Sequence, residues 1–258
     1  MRWFFIYLYP MDKTTQIYGI RAVIEAINAN EPIDKVFVQK GLKGDLSREL
    51  EGLVRKNGIN CSYVPIEKLN RLTQNNHQGV VANISPITFY ELEELVESVI
   101  ADKEAPLFLL LDQLSDVRNF GAIIRTAECT GVDGIIIQKK GAAPVTADTI
   151  KTSAGAAFNV PIAKVDHIKD AVYYLQASGI SVVGATEKTD TSIYDVNFTG
   201  PSAIIMGSED RGISPSTLKA ADYLAKLPLL GEIESLNVSV ACAVFLYEAV
   251  RQRTVVKA

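Results

Sequence analysis

The larger part of this chain is predicted to be an α/β fold with a mostly parallel sheet covered by helices on both faces, and three observations predict it. From Pro106 onward six short apolar runs recur, at 107–111, 134–137, 160–165, 182–185, 203–206 and 224–227. Helical or turn segments separate most of them, which is the rhythm of strand and crossover in a parallel sheet. At 258 residues with 48% hydrophobic content, the chain can also bury a sizeable core as one large or two modest domains.

In chain order, residues 1–16 read as an N-terminal extension. The first ten are aromatic and briefly apolar, and no small-residue cleavage pattern follows, so no secretion signal is expected. Met11 restarts a polar sequence, and the leading decapeptide is expected to lie outside the fold. Residues 17–85 read as a small α/β unit. Ile20, Val23, Ile24 and Ile27 share one helical face; 36–38 is a strand; Leu46, Leu50, Leu53 and Val54 stripe a second helix; 61–64 and 80–84 are further strands. The polar segment 73–79, which contains His77, is either a turn or an RNA-contacting loop. Ser85-Pro86 marks a boundary, and 86–104 forms a linker and a helix that buries Phe89, Leu92, Val96, Val99 and Ile100. Residues 105–258 carry the α/β domain.

The net charge of −4 conceals an uneven distribution. From Lys35 to Arg71 eight basic residues stand against four acidic ones, whereas between Glu91 and Glu104 six acids face one lysine. A basic N-terminal region suits a polyanionic partner even though the whole chain is acidic. Three cysteines and two histidines are scattered without metal-ligand spacing, so no structural zinc site is expected. Cys129 and Cys242 have apolar neighbours and are expected to pack as small hydrophobes in a reducing cytoplasm. The most apolar run, 238–250, is too short for a bilayer and carries a glutamate, which fits a buried helix.

In a sheet of this kind ligands bind beyond the carboxyl ends of the strands, so the loops that follow the apolar runs are the places to seek chemistry. After 107–111, a helix starting near Asn119 would place Arg125 about two turns in, beside Ile124 and Ala127 and therefore partly buried; Gly121 would admit another backbone. After 203–206 comes Gly207-Ser208-Glu209-Asp210-Arg211-Gly212-Ile213. Ile213 stands where a phosphate-binding P-loop needs lysine, and no G-x-G-x-x-G follows the first strand, so neither nucleotide motif is present. After 224–227, which ends at Pro228, a loop leads through Glu232, Glu234, Ser235 and Asn237 into a helix running through Arg253. Ser235 and Asn237 could hydrogen-bond a ligand or could cap that helix.

Asn119-Phe120-Gly121-Ala122-Ile123-Ile124-Arg125-Thr126-Ala127, Met206-Gly207-Ser208-Glu209, and Leu227-Pro228-Leu229 with Ser235-Leu236-Asn237-Val238-Ser239 resemble, in order and spacing, the three motifs of the SpoU-type RNA 2′-O-ribose methyltransferases. The resemblance extends to Lys151-Thr152-Ser153-Ala154-Gly155-Ala156, Tyr18-Gly19-Ile20-Arg21 and His77-Gln78-Gly79-Val80, outer matches that look like the branch acting on a guanosine ribose of 23S rRNA. Val117-Arg118 departs from it, since many members have a proline before the asparagine. The resemblance implies a SPOUT methyltransferase domain with a C-terminal trefoil knot, a small N-terminal L30e-like RNA-binding domain, a homodimer, and S-adenosyl-L-methionine as cofactor. It implies that Gly207, Leu227 and Leu236 hold the cofactor, largely through backbone groups. Asn119, Arg125, Glu209, Ser235 and Asn237 are the implied catalytic set, with no metal.

Arg125 is the family's proposed base, yet only roughly one guanidinium in 10⁵ is neutral at pH 7. It is better read as a phosphate anchor that stabilises the developing oxyanion, with Glu209 or solvent assisting proton removal. Glu209 is alternatively expected to brace Arg125 or the knot through a salt bridge, and Ser235 is short enough to approach the 2′-hydroxyl. A tRNA ribose methyltransferase shares every one of these motifs, and a catalytically silent RNA-binding or ribosome-assembly protein is the reading from another class.

Overall fold

The computed structural model describes residues 16–233 and 235–255, which fall into two compact units meeting at Pro86 and Ile87. The expectation for the leading decapeptide lies outside the described residues.

The first unit contains β1 (Gln16–Tyr18), α1 (Ile20–Asn28), β2 (Ile33–Gln39), α2 (Asp45–Lys56), β3 (Asn60–Val64), α3 (Ile66–Leu72) and β4 (Val80–Ile84). Its four strands lie in the order β1-β4-β2-β3, with β2 and β3 parallel and β4 antiparallel to both β1 and β2. Alternation along the strands sorts the side chains. Val36, Val38, Val80 and Ala82 meet the apolar stripes of α1 and α2, while Phe37 and Val81 on the other face meet Leu69 of α3. α2 carries Asp45 in its first turn and Arg55 and Lys56 in its last, each charge complementing the helix dipole. The sequence pattern gave no hint of the three-residue β1 or of the single-sided α3.

The second unit continues with α4 (Leu92–Asp102), β5 (Leu107–Leu111), α5 (Val117–Thr130), β6 (Gly134–Gln138), α6 (Ala147–Thr152), β7 (Ile162–Val165), α7 (Ile168–Ala177), β8 (Ser181–Ala185), β9 (Ser202–Met206), α8 (Pro215–Leu218), β10 (Tyr223–Ala225) and α9 (Val238–Val255). Its six strands are all parallel, in the order β10-β8-β9-β5-β6-β7. Leu107, Leu109 and Leu111 of β5 point into one core with α5 and α9; Phe108 and Leu110 point into another with α4 and α7. Both faces of the sheet are thus sealed, and burying one such side chain stabilises the fold by about 1.5–3 kcal/mol.

The acidic helix α4 uses Leu92, Leu95 and Val96 for that contact, whereas Ile100, expected inside, is exposed. β7 begins two residues later than its apolar run suggests. β10 stops at Ala225 rather than 227, because the next residue leaves the sheet: Lys226 donates its N–H to the Thr191 carbonyl (3.0 Å) and accepts from the Ile193 N–H (2.9 Å). Cys242 is buried as expected, but Cys129 is exposed. Among the described residues no helix is long and apolar enough to cross a membrane, and no cluster of His, Cys, Asp and Glu could hold a metal.

The strand order places β9 and β5 side by side although 90 residues separate Leu111 from Ser202 in the chain. From β5 the chain proceeds to β6 and β7 on one side; from β8 onward it occupies the other. The carboxyl ends of β5 and β9 therefore flank the crevice where this class of sheet receives ligands.

Candidate active site

Immediately after β5, Asp112 is fully buried. Its N–H donates to the Met206 carbonyl at 2.8 Å, and its Oδ2 accepts the Ser214 N–H at 2.8 Å, so one residue ties the end of β5 to both ends of the loop that follows β9. Its Oδ1 has no hydrogen-bond partner among the described residues. Asp116 then caps α5 by accepting the Asn119 N–H at 2.7 Å. The helix starts at Val117, two residues before its expected start, and Asn119 projects from its first turn.

Gly121 sits where α5 meets α6, and a Cβ there would fall 1.8 Å from Thr152 Oγ1. A side chain at 121 would push the two helices apart.

After β9 the chain reverses tightly. Ser208 and Gly212 exchange backbone hydrogen bonds of 3.1 and 2.9 Å, with Gly212 in the left-handed region at φ 67°. Gly207 passes so close to the returning strand of this loop that a Cβ would lie 2.0 Å from the Gly212 carbonyl carbon. Glu209 stands exposed at the tip of the turn.

After β10, residues 227–233, 235 and 236 make no backbone hydrogen bond to any described residue. Among them Leu227 is half-buried, and Leu229 and Leu236 are exposed. Such a stretch leaves backbone donors and acceptors free beside apolar side chains. It closes at Asn237, the cap of α9.

These three loops meet. Asn119 Nδ2 donates to Glu209 Oε1 at 2.6 Å, and Asn119 Oδ1 accepts from Asn237 Nδ2 at 3.1 Å. Asn237 Oδ1 in turn accepts from the Ser239 N–H (2.9 Å) and Ser239 hydroxyl (2.6 Å). Every amide end in this chain has a partner of the right polarity, so the network fixes which way each amide faces. Of the two readings of Asn237, the cap is observed, through Oδ1, while its Nδ2 bridges to Asn119.

Other expectations are not met. Arg125 is exposed rather than partly buried, and forms no ion pair with Glu209 or any other described residue. Its sequence neighbours Ile124 and Ala127 are buried, but successive helical residues are turned by about 100°, so neighbours in sequence need not share a face. Arg125 instead shares the outer face of α5 with Arg118 and Cys129. Glu209 is engaged by an amide and not by a salt bridge. Ser235 does not cap α9 among the described residues and stands exposed, which leaves its hydroxyl accessible to a ligand. Sequence reasoning missed Asp112, Asp116 and Ser239. A signal existed for each: a carboxylate directly after five apolar residues, an aspartate three before Asn119, and a serine two after Asn237.

Residues 106–247 match the SpoU rRNA Methylase family, and residues 16–90 match the domain described as RNA 2′-O ribose methyltransferase substrate binding. The 23S rRNA (guanosine-2′-O-)-methyltransferase RlmB of Coxiella burnetii is 36% identical over 245 residues, covering 94% of this chain and 98% of its own length. Among solved structures, the SpoU methyltransferase AviRb from Streptomyces viridochromogenes in complex with the cofactor AdoMet superposes with a TM-score of 0.59 at 26% identity, over 93% of this chain and 90% of that one. The A. aeolicus TrmH/SpoU tRNA modifying enzyme aligns with a TM-score of 0.54 at 28% identity, over 64% of this chain and 86% of its own.

Proposed function

The chain belongs to the SpoU rRNA methylase family, and from that premise we propose that it methylates the ribose 2′-oxygen of a guanosine in 23S rRNA. The observation that carries this reading is the junction of Glu209, Asn119 and Asn237, three residues from three loops joined by side-chain hydrogen bonds at the carboxyl edge of the sheet. The rRNA guanosine methyltransferase of Coxiella burnetii aligns along both units, whereas the tRNA-modifying relative covers under two thirds of the chain. That difference favours rRNA over tRNA.

The cofactor is S-adenosyl-L-methionine, which when bound supplies an electrophilic methyl on a positively charged sulfur. The residues present fit it. The unbonded backbone of 227–236, the half-buried Leu227 and the exposed Leu236 offer neutral donors, acceptors and apolar contact without a charged box, and Gly207 lets the loop after β9 close without a side chain in the way. The C-terminal segment from Lys226 to α9, paired with 191–193 at one end and packed on α5 and β9 at the other, is where the trefoil threading belongs.

Asn119 and Asn237 hold the loops in register, so that a ribose placed against them meets a fixed surface rather than mobile side chains. Glu209 keeps its second carboxylate oxygen clear of Asn119 and is exposed, positioned to take the proton that the ribose 2′-hydroxyl gives up. Arg125, on the outer face of α5 and without an ion-pair partner among the described residues, is available to anchor an RNA phosphate.

The working form is a homodimer. Val240, Val244 and Tyr247 recur on the outer face of α9 and are exposed, and Ile233 is 77% exposed in the preceding loop. The helical stripe, with its i, i+4, i+7 spacing, is the face a second copy would cover. Sedimentation should give twice the chain mass, and Val244→Glu with Tyr247→Glu should yield folded monomers; a wild-type monomer retaining full activity would refute the dimer.

The decisive assay transfers labelled methyl from S-adenosyl-L-methionine to transcripts of 23S rRNA and of tRNA, followed by mapping of 2′-O-methyl positions. Methylation of a guanosine ribose in the rRNA alone is expected. Modification confined to tRNA, or to a base, would overturn the assignment.

A further inference from the structure

Residues 73–77 and Asn70 of the first unit line an open cavity of about 510 Å³, within the size range of small-molecule sites. Asn70, Thr73, Gln74, Asn75, Asn76 and His77 form its wall; no lysine or arginine does. The loop was open to two readings in the sequence, and its floor is rigid. His77 is buried; its Nδ1 accepts the Gly79 N–H at 2.9 Å, which leaves Nε2–H to donate to Asn70 Oδ1 at 2.8 Å. With both ring nitrogens used in the neutral ring, His77 braces the loop and is no ligand for a phosphate. Gln78 at φ 49° and Gly79 at φ 82° fix the turn into β4, where the Val80 N–H bonds the His77 carbonyl at 2.8 Å.

The amide residues of this wall are exposed. Asn75 and Asn76 are exposed, and their amide groups make no hydrogen bond to a described residue. Gln74 commits only one donor, at 3.3 Å, to the Asn70 carbonyl. A carboxamide presents a donor and an acceptor side by side, which matches the edge of a nucleobase; a phosphate offers acceptors alone and selects cations. Single-stranded RNA is recognised on just such base edges.

We propose that this cup receives one unpaired nucleobase of the RNA substrate, read by the amides of Gln74, Asn75 and Asn76, while the lysines and arginines elsewhere on the unit hold the phosphates. The proposal rests on the reading that the chain acts on RNA, and it divides the unit into a base-reading cup and a charge-bearing surface.

The test compares the full-length protein with its Asn75→Ala/Asn76→Ala variant, which leaves His77 and Asn70 in place. Binding is measured with a mixed-sequence single-stranded 12-mer RNA and with the same 12-mer made abasic, so that the phosphates are equal in number. Wild type should bind the intact 12-mer about tenfold or more tightly than the abasic one, and the variant should bind both alike. With 23S rRNA transcript, the variant should show KM raised about tenfold, kcat unchanged, and the same slope of log affinity against log salt. Equal binding of both 12-mers by wild type, or a variant whose salt slope falls by about one phosphate contact, would overturn the proposal. A wild-type protein that discriminates the 12-mers yet fails to methylate the transcript would sustain the cup and defeat the methyltransferase reading instead.

Discussion

Two stretches near the C-terminus, the loop at 227–236 and the last turns of α9, are built on opposite plans. The loop makes no backbone hydrogen bond among its described residues. By contrast, Arg253 donates to four carbonyls, those of Phe198 (2.8 Å), Ala105 (2.9 Å), Pro106 (3.2 Å) and Gly200 (2.9 Å). Gln252 donates to the Val196 carbonyl and accepts from the Phe198 N–H, both at 2.8 Å, and also donates to buried Glu248. One stretch leaves its backbone polar groups without partners among the described residues, and the other commits its side chains to the fold. The contrast shows how a site can stay open without being loose: the helix that carries Asn237 is fastened at its far end.

The largest effect should come from breaking the fastened end. Arg253→Ala removes one donor from each of four carbonyls, of which Pro106 and Gly200 keep a bond from Ser202 while Phe198 and Ala105 keep none among the described residues, and should cost about 3 kcal/mol, read as a melting temperature lowered by roughly 6–12 °C. Arg253→Lys, with fewer and differently placed donors, should recover only part of it. If Arg253→Ala melted like wild type, the distinction between the two stretches would lose its basis.

Asn237→Asp attacks the open end selectively. The substitution keeps an oxygen to cap Ser239 and adds a charge that suits a helix N-terminus, but it removes the donor to Asn119. Methyl transfer should fall about tenfold or more while the melting temperature moves by no more than about 2 °C. A parallel loss of both would mean that the junction is structural only.

Acid should weaken the fastened end. The hydrogen bond from Arg251 holds the Glu248 carboxyl below its usual range, helped by Gln252 and opposed by burial. A carboxyl lowered on folding contributes stability above its unfolded value and loses it as pH falls through the folded one. Wild-type stability should therefore decline below about pH 4.5, and Glu248→Gln should flatten that decline, as followed by thermal melts across pH 2–6.

The smallest effect concerns thiols. Burial pushes Cys242 on α9 up to about 12, whereas Cys129 is exposed on α5. A thiol reagent at pH 8 should label Cys129 and leave Cys242 untouched until the protein unfolds. Early labelling of Cys242 would show that α9 frays despite its anchor.

What could be read from sequence alone follows from what is local. The strands of the second unit were legible because each is a short apolar run, and β5 matched its run residue for residue. The three motif loops were legible because they follow such runs, and the structure joins Asn119, Glu209 and Asn237. Arg125 and Cys129 were misplaced because apolar neighbours in sequence were taken for neighbours in space, while a helix turns those positions outward. α3 escaped because only Leu69 among its seven residues is buried, too little for a periodic signal. The role of Asp112 was illegible because its partner Ser214 lies 102 residues away.

The double attachment of α9 makes that helix a ruler. At about 1.5 Å and 100° per residue, its length fixes both the distance and the angle between Asn237 and Arg253. Deleting a single residue between them would swing one end through roughly a quarter turn relative to the other, leaving either the cap or the clamp facing the wrong way. Side chains of α9 that face neither the core nor a second copy can vary widely, but its count of residues cannot.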